Sequence, residues 1–348
     1  MTAPAGVAPL EYGRPQLTDQ LGVHWEETLT TAYRWMILSR ALDQRMLALQ
    51  RQGRVGFYGA VTGQEAVNVA AGLASAPTDW VSPGLREQLV ALIRGHSLVS
   101  YVQHLFATAE DPALGRQMPC HPTAREVQYL SMSSVIGTQI SHAVGIGYAL
   151  RYRKAPGVSF AFFGDGATSS NDFHAALNLA GVLALPVLFV CTNNQWAISV
   201  PVERQSRIPH LAQKSAAYGL PGETVDGTDF VATMSALSLA RRRVESGEGP
   251  RMLELVIYRM TPHSSSDDPT RYQRPDWVEE ARTHDPVHRL EELLRRLGLL
   301  DAAKEAQIQH EAETQVRQAV EIAEAVPAPP AESLLRDVFA PAPSAQGG

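Results

Sequence analysis

Val158-Ser-Phe-Ala-Phe-Phe163 runs into Gly164-Asp165-Gly166, and Leu185-Pro-Val-Leu-Phe-Val-Cys191 runs into Thr192-Asn193-Asn194. Each run is short, apolar, partly β-branched or aromatic, and stopped by Gly or polar residues, which is the pattern of a buried parallel strand. Between them Ala175, Ala176, Leu179 and Leu183 recur at helical spacing. A strand, helix, strand unit with a right-handed crossover brings the C-terminal ends of both strands to one edge of the sheet. Asp165 and Asn194 are then expected to face one crevice, with 26 residues between the two polar signatures.

These residue types suit a magnesium-diphosphate site. Mg²⁺ prefers about six oxygens and binds through one or two carboxylates plus phosphates. Asp165 supplies a carboxylate, Asn194 a side-chain amide oxygen, and the backbone carbonyl of Trp196 a third ligand. Gly164 and Gly166 let the backbone approach a phosphate, and amides at the start of the next helix, near Ala167, can donate to it. Thr168, Ser169 and Ser170 would add hydroxyl donors. Taken singly, Gly-Asp-Gly and Asn-Asn are ordinary turns after strands.

The rest of the chain frames this unit. Residues 1–24 are rich in Pro, Gly and Ala at their start and read as an N-terminal arm; helices are predicted from about Trp25 to Gln52 and from Gln64 to Leu73. From Ser131 to about Tyr258 strand and helix alternate, the mark of an α/β, doubly wound, mostly parallel sheet with ligands at the strand C-termini. A last strand, Met252-Leu-Glu-Leu-Val-Ile-Tyr258, leads into Thr261-Pro-His-Ser-Ser-Ser-Asp-Asp268. Asp285 and Pro286 cap a helix that Gly298 ends, and another helix runs from about Asp301 to Ala325. Residues 25–330 therefore read as one domain with N-terminal and C-terminal helical extensions, and residues 331–348 as a tail frayed beyond Leu335.

A formal charge of −6 with no basic stripe offers no electrostatic case for nucleic acid. No stretch approaches the ~20 apolar residues of a membrane span. Cys120 and Cys191 are too few for a disulfide framework, which suits a reducing cytoplasm. Gly145-Ile-Gly147 raises an NAD-binding dehydrogenase as an alternative, but the third Gly of that fingerprint is absent and no strand precedes it. A non-catalytic scaffold would keep the sheet without needing an acidic metal ligand.

Gly-Asp-Gly followed at this distance by Asn-Asn is similar to the thiamine diphosphate signature. Together with Arg51-Gln-Gly-Arg-Val-Gly-Phe-Tyr58, Gly63-Gln-Glu-Ala66, Gly115-Arg-Gln-Met-Pro119, Thr138-Gln-Ile140 and Asn193-Asn-Gln-Trp-Ala-Ile-Ser-Val-Pro-Val202, it makes the chain resemble the alpha subunit of the 2-oxo acid dehydrogenases from about residue 25 to 325. The resemblance implies the diphosphate module of a thiamine diphosphate-binding fold, with Mg²⁺. It also implies a heterotetramer with a beta subunit, docked onto a lipoyl acyltransferase core. The second module, which carries the glutamate that activates the aminopyrimidine, would then lie in the beta chain.

By the same resemblance Arg86 grips the diphosphate, Ser134 and Ile136 lie beside the aminopyrimidine, and Ala197 and Ile198 complete the cofactor cradle. His263 is the expected catalytic histidine, able to position an intermediate or move a proton near neutral pH. Ser133, the Val135 carbonyl, Thr138 and Gln139 match a potassium site of some relatives, and Ser264 matches a serine phosphorylated in mitochondrial ones. Three departures stand out: Leu85 where a tyrosine is common, Thr192 where some branched-chain enzymes have arginine, and Pro262 where mammalian relatives have histidine.

Phe57, Tyr58 and Ser134 are the expected substrate contacts, the two rings forming an apolar wall. The loop at 261–268 and the run Asn-Gln-Trp-Ala-Ile-Ser look most like bacterial branched-chain versions, which implies 3-methyl-2-oxobutanoate and its homologues as substrate. Pyruvate is the first alternative, with acetoin a further one. A methylene separates substrates by only about 1–3 kcal/mol in such a pocket.

Overall fold

The computed structural model describes residues 11–336 and Val338. The sheet strands are β1 (Trp80–Ser82), β2 (Ser159–Gly164), β3 (Val187–Asn193), β6 (Gly222–Asp226) and β7 (Arg251–Val256), and β4 (Trp196–Ala197) with β5 (Val200–Pro201) makes a small antiparallel hairpin. The sheet is parallel throughout, in the order β1-β2-β3-β7-β6.

Side-chain alternation explains why helices cover both faces. Phe160 and Phe162 of β2, Leu188 and Val190 of β3, and Leu253 and Leu255 of β7 enter one core with the helices Trp25–Arg51, Glu65–Ala74 and Phe230–Glu245. Ala161, Phe163, Val187, Phe189, Cys191 and Met252 enter a second core with Thr138–Arg153 and Asn171–Val182. Each large apolar side chain buried there contributes about 1.5–3 kcal/mol. The β2-to-β3 helix and the β6-to-β7 helix thus lie on opposite faces, as double winding requires.

Gly145 and Gly147 fall inside the helix Thr138–Arg153, where a Cβ on Gly147 would stand 2.6 Å from Val187 Cγ2. That glycine serves close helix-on-strand packing, and the NAD-binding alternative loses its motif.

The described part of the N-terminal arm holds a helix that the sequence reading did not include. Arg14–Leu21 is a helix, Leu17 is fully buried, and the Tyr12 hydroxyl donates to Asp229 Oδ2 at 3.0 Å. Asp229 caps the helix Phe230–Glu245 through the amides of Val231 and Ala232, so the arm docks on that helix start. Local composition missed the anchor because one buried leucine and one long-range hydrogen bond hold it. Residues 1–10, and most of the tail beyond Leu335, lie outside the described residues.

Other elements follow the sequence reading closely. Asp285 accepts from the Val287 amide at 2.9 Å to start the helix Pro286–Arg296, and Asp301 caps Ala302–Glu324. Arg40 binds Asp285 through both terminal nitrogens and also reaches Glu65, so one guanidinium ties three helices together.

Candidate functional site

Register sets the site. The β2–β3 ladder ends at Gly164 opposite Thr192, and the β3–β7 ladder ends at Asn193 opposite Val256. Three loops therefore leave one sheet edge side by side, carrying Asp165, Asn194 and the segment from Arg259 to His263. They border a cavity of about 460 Å³. Of the expected residues, Arg86, Ser134, Ile136, Gly164, Gly166, Ala167, Asn194, Ala197, Ile198, His263 and Phe57 line it.

Asp165 opens the short 3-10 turn Asp165–Ser169 and is only 2% exposed. Gln205 Nε2 donates to its Oδ2 at 2.9 Å. Burial pushes the carboxyl up to about 6, against the lowering effect of the Gln205 hydrogen bond and the Arg259 charge. A Cβ on Gly166 would come within 2.6 Å of Ala197 Cβ, so the hairpin seats against this turn only because position 166 is glycine.

Two of the three hydroxyls expected to donate to phosphate, those of Thr168 and Ser170, are engaged elsewhere. Thr168 Oγ1 donates to the Asp165 carbonyl at 2.8 Å and accepts from Lys214 Nζ at 2.8 Å. Ser170 Oγ donates to the Ala167 carbonyl and caps the next helix by accepting from the Phe173 amide. Both shape the turn from behind, because a hydroxyl in a tight turn satisfies nearby backbone first.

The two asparagines divide their work. Asn193 Nδ2 donates to the buried Glu254 at 2.7 Å while its Oδ1 accepts from the Gln195 amide. Asn194 reaches the cavity, its Oδ1 accepting from the Trp196 amide at 3.2 Å. The Trp196 ring packs between Tyr272 and Trp277, with centroids at 5.3 and 5.7 Å. Arg259 turns its guanidinium to the carbonyls of Trp196 at 3.5 Å and Ile198 at 2.6 Å. It also donates to the Tyr272 hydroxyl, which donates to Asp267; Asp267 in turn accepts from the His263 amide at 2.7 Å. The hairpin and the His263 loop are thereby joined.

Arg86 is 5% exposed, so the alternative of a solvated surface arginine is gone. Its terminal nitrogens donate to the carbonyls of Ala60 and His263. Burial and the nearby Arg259 charge lower its pKa to about 10. The Ala60 carbonyl is held in place by Asp43, which accepts from the amides of Val61 and Thr62 and from the hydroxyls of Tyr58 and Thr62, all within 2.9 Å. Tyr58 is accordingly fully buried and points to Asp43, not into the cavity. The apolar wall instead combines Phe57 with Leu85, Met118 and Met132.

Ser134 lies 2.6 Å from Nε2 of His121, whose Nδ1 is 2.9 Å from the Pro119 carbonyl. A carbonyl can only accept, which assigns the proton to Nδ1 and makes the Ser134 hydroxyl the donor to Nε2. The His121 amide in turn donates to His104 Nε2, and His104 pairs with Asp111. Ile136 stands at the rim, 64% exposed. The potassium-matching turn has Thr138 N donating to the Val135 carbonyl at 3.4 Å and a buried Gln139 Oε1 without a partner among the described residues. Ser264 is nearly buried at 9% exposure.

His263 faces the cavity with its pKa lowered to about 4, by burial first and then by Arg86 and Arg259. Glu87, also lining the cavity, is pushed up to about 7 by burial. Sequence reasoning missed His121, Gln205, Arg259 and Glu87. All four stand beside residues already singled out, His121 two past Pro119, Gln205 three past Val202, Glu87 next to Arg86 and Arg259 next to Tyr258, but only tertiary packing shows that they turn to the site. Among the described residues no group of three or more His, Cys, Asp or Glu side chains forms a metal cluster, and no helix is long and apolar enough to cross a membrane.

Residues 33–332 match the family described as Dehydrogenase E1 component. The 2-oxoisovalerate dehydrogenase subunit alpha of Bacillus subtilis (strain 168) is 39% identical over 326 residues, which is 93% of this chain and 97% of that protein. The 3-methyl-2-oxobutanoate dehydrogenase subunit alpha of Mycobacterium tuberculosis (strain ATCC 25618 / H37Rv) is 40% identical over 287 residues, 81% of this chain and 75% of that protein. The pyruvate dehydrogenase E1 component subunit alpha of Bacillus subtilis (strain 168) is 36% identical over 330 residues, 94% of this chain and 85% of that protein. With the family match spanning most of its length, the chain belongs to the dehydrogenase E1 component family, as an alpha subunit of the 2-oxo acid dehydrogenase type.

Proposed function

We propose that this chain is the diphosphate-binding half of a thiamine diphosphate- and Mg²⁺-dependent enzyme that oxidatively decarboxylates a branched-chain 2-oxo acid and passes the acyl group to a lipoyl arm. The observation that carries the reading is the meeting of Gly164, Gly166, Asn194, Arg86 and His263 around one cavity, with the buried Asp165 between the two lining glycines. A carboxylate from Asp165 with neutral oxygens from Asn194 and the Trp196 carbonyl is the kind of donor set taken by a hard cation that shares its shell with phosphates. Arg86 offers a fixed guanidinium fork for the diphosphate. The unpartnered Gln139 Oε1 suits a potassium ion at the Ser133–Gln139 turn.

When bound, thiamine diphosphate supplies the carbanion and the electron sink for decarboxylation. The chain's own residues bind, orient and screen. His263 is neutral at pH 7 in this setting and can accept a proton from a group in the cavity. Ser134, fixed by His121, presents an oxygen at the cavity wall, and Phe57, Leu85, Met118 and Met132 exclude water from an aliphatic side chain. That apolar lining favours 3-methyl-2-oxobutanoate over pyruvate.

The catalytic glutamate is assigned to a separate beta chain. The helices Thr138–Arg153 and Asn171–Val182 support this by exposing an apolar face at Tyr148, Tyr152, Leu179 and Val182, suited to a partner subunit. A lipoyl acyltransferase core is the further partner. Buried thiols at Cys120 and Cys191 accord with a cytoplasmic location.

Calorimetry of thiamine diphosphate with and without Mg²⁺, on the chain alone and co-expressed with a beta subunit, tests the cofactor assignment; metal-independent or absent binding in the assembled protein sinks it. Relative kcat/KM on 3-methyl-2-oxobutanoate and pyruvate tests the substrate. A higher value on pyruvate reverses that choice.

A further inference from the structure

We infer that Gln205 is a positioning residue for the metal-binding carboxylate of Asp165, an inference that rests on the cofactor reading above. The hairpin returns through Val202 N to the Gln195 carbonyl at 3.1 Å, and Gln205 N closes the following turn on the Val202 carbonyl at 3.0 Å. These backbone bonds bring the Gln205 side chain back over the Gly-Asp-Gly turn. There its Nε2 donates both to Asp165 Oδ2 at 2.9 Å and to the Val200 carbonyl at 3.1 Å. Its Oε1 stands 3.3 Å from where a Cβ on Gly166 would be, so the amide is wedged between hairpin and turn. Gln205 also lines the cavity.

The contact engages Oδ2, and besides the backbone amide of Asp165 itself no other described group is shown donating to this carboxylate, so Oδ1 is the oxygen we assign to the cation. A carboxylate held by one oxygen keeps the other in a fixed direction, and partners of this kind commonly affect metal affinity by about 10- to 100-fold. The choice of amide matters. Lysine or arginine at 205 would neutralise the carboxylate and compete with the cation, whereas an amide donates a hydrogen bond and brings no charge. The metal site is in this way tied to the hairpin that carries Trp196 and Ile198.

The test uses the assembled alpha–beta protein, Mn²⁺ as the metal probe, and the variants Gln205→Ala and Gln205→Met, the latter keeping the side-chain volume without the donor. With thiamine diphosphate fixed, free Mn²⁺ measured by electron paramagnetic resonance is expected to give a Kd raised about 10- to 100-fold in both variants. Thiamine diphosphate affinity is expected to recover at saturating Mn²⁺, because the defect lies in metal capture. A wild-type Mn²⁺ Kd in Gln205→Met overturns the inference, and so does a cofactor affinity that stays weak at saturating Mn²⁺ in variants with unchanged Tm. Failure of the wild-type protein to bind Mn²⁺ with the cofactor overturns the cofactor reading instead.

Discussion

The guanidinium of Arg86 donates to the backbone carbonyl of His263, a residue 177 positions later in the chain. The expected diphosphate anchor and the expected catalytic histidine are thus fastened to each other, and a bound diphosphate would share the same guanidinium. Arg86→Ala is expected to raise the thiamine diphosphate Kd about 10- to 100-fold, the loss of a charge-assisted contact worth about 1.5–3 kcal/mol. Arg86→Lys should restore only part of it, since a point charge lacks the fork. Isothermal titration of the assembled protein reads both, and a wild-type Kd in Arg86→Ala removes Arg86 from the site.

Asp165→Asn keeps the shape of the side chain and deletes its charge. Magnesium-dependent cofactor binding should be lost, with activity, while the fold persists, because burial already disfavours the charged form at this position. Equilibrium dialysis with Mg²⁺ and thiamine diphosphate checks this; unchanged affinity refutes the metal assignment.

Glu87 gives a stability signal in the cofactor-free protein. Its pKa rises from 4.5 to about 7 on burial, so burial favours the neutral acid in the native state. The associated stability is present below pH 4.5 and lost as pH rises through about 7, a change of about 3 kcal/mol. Glu87→Gln should therefore gain stability relative to wild type between pH 5 and 8, in urea melts compared at each pH. Parallel pH profiles for the two proteins contradict it.

His263 behaves in the opposite sense. Its folded value of about 4 lies below the ordinary 6.5, so the neutral ring is favoured in the native state. Stability from this residue is present above pH 6.5 and lost as pH falls through about 4. His263→Asn should lose less stability than wild type on acidification, and NMR titration of the imidazole should show a midpoint well below 6.5. A midpoint at or above that value would falsify the neutral-base role.

Much of the fold was readable because its signals are local. Apolar runs such as Val158–Phe163, the caps Asp285 and Asp301, and the stop at Gly298 depend on residues a few positions apart. The helix over residues 14–21 was not legible, because Leu17 is anchored by distant groups. Tyr58 erred for a related reason: adjacent aromatic residues point to different surroundings, and only the buried Asp43 decides which one turns inward.

By itself the sequence determined the α/β order of elements, the placement of Asp165 and Asn194 after neighbouring strands, and the family resemblance. Those follow from hydrophobic periodicity and turn chemistry, which act over short range. Tertiary structure alone decided that Thr168 and Ser170 turn to their own backbone, that Gln205 holds Asp165, and that Arg86 reaches His263. Each is settled by a donor finding an acceptor in a buried space, and that pairing depends on where the chain returns after many residues.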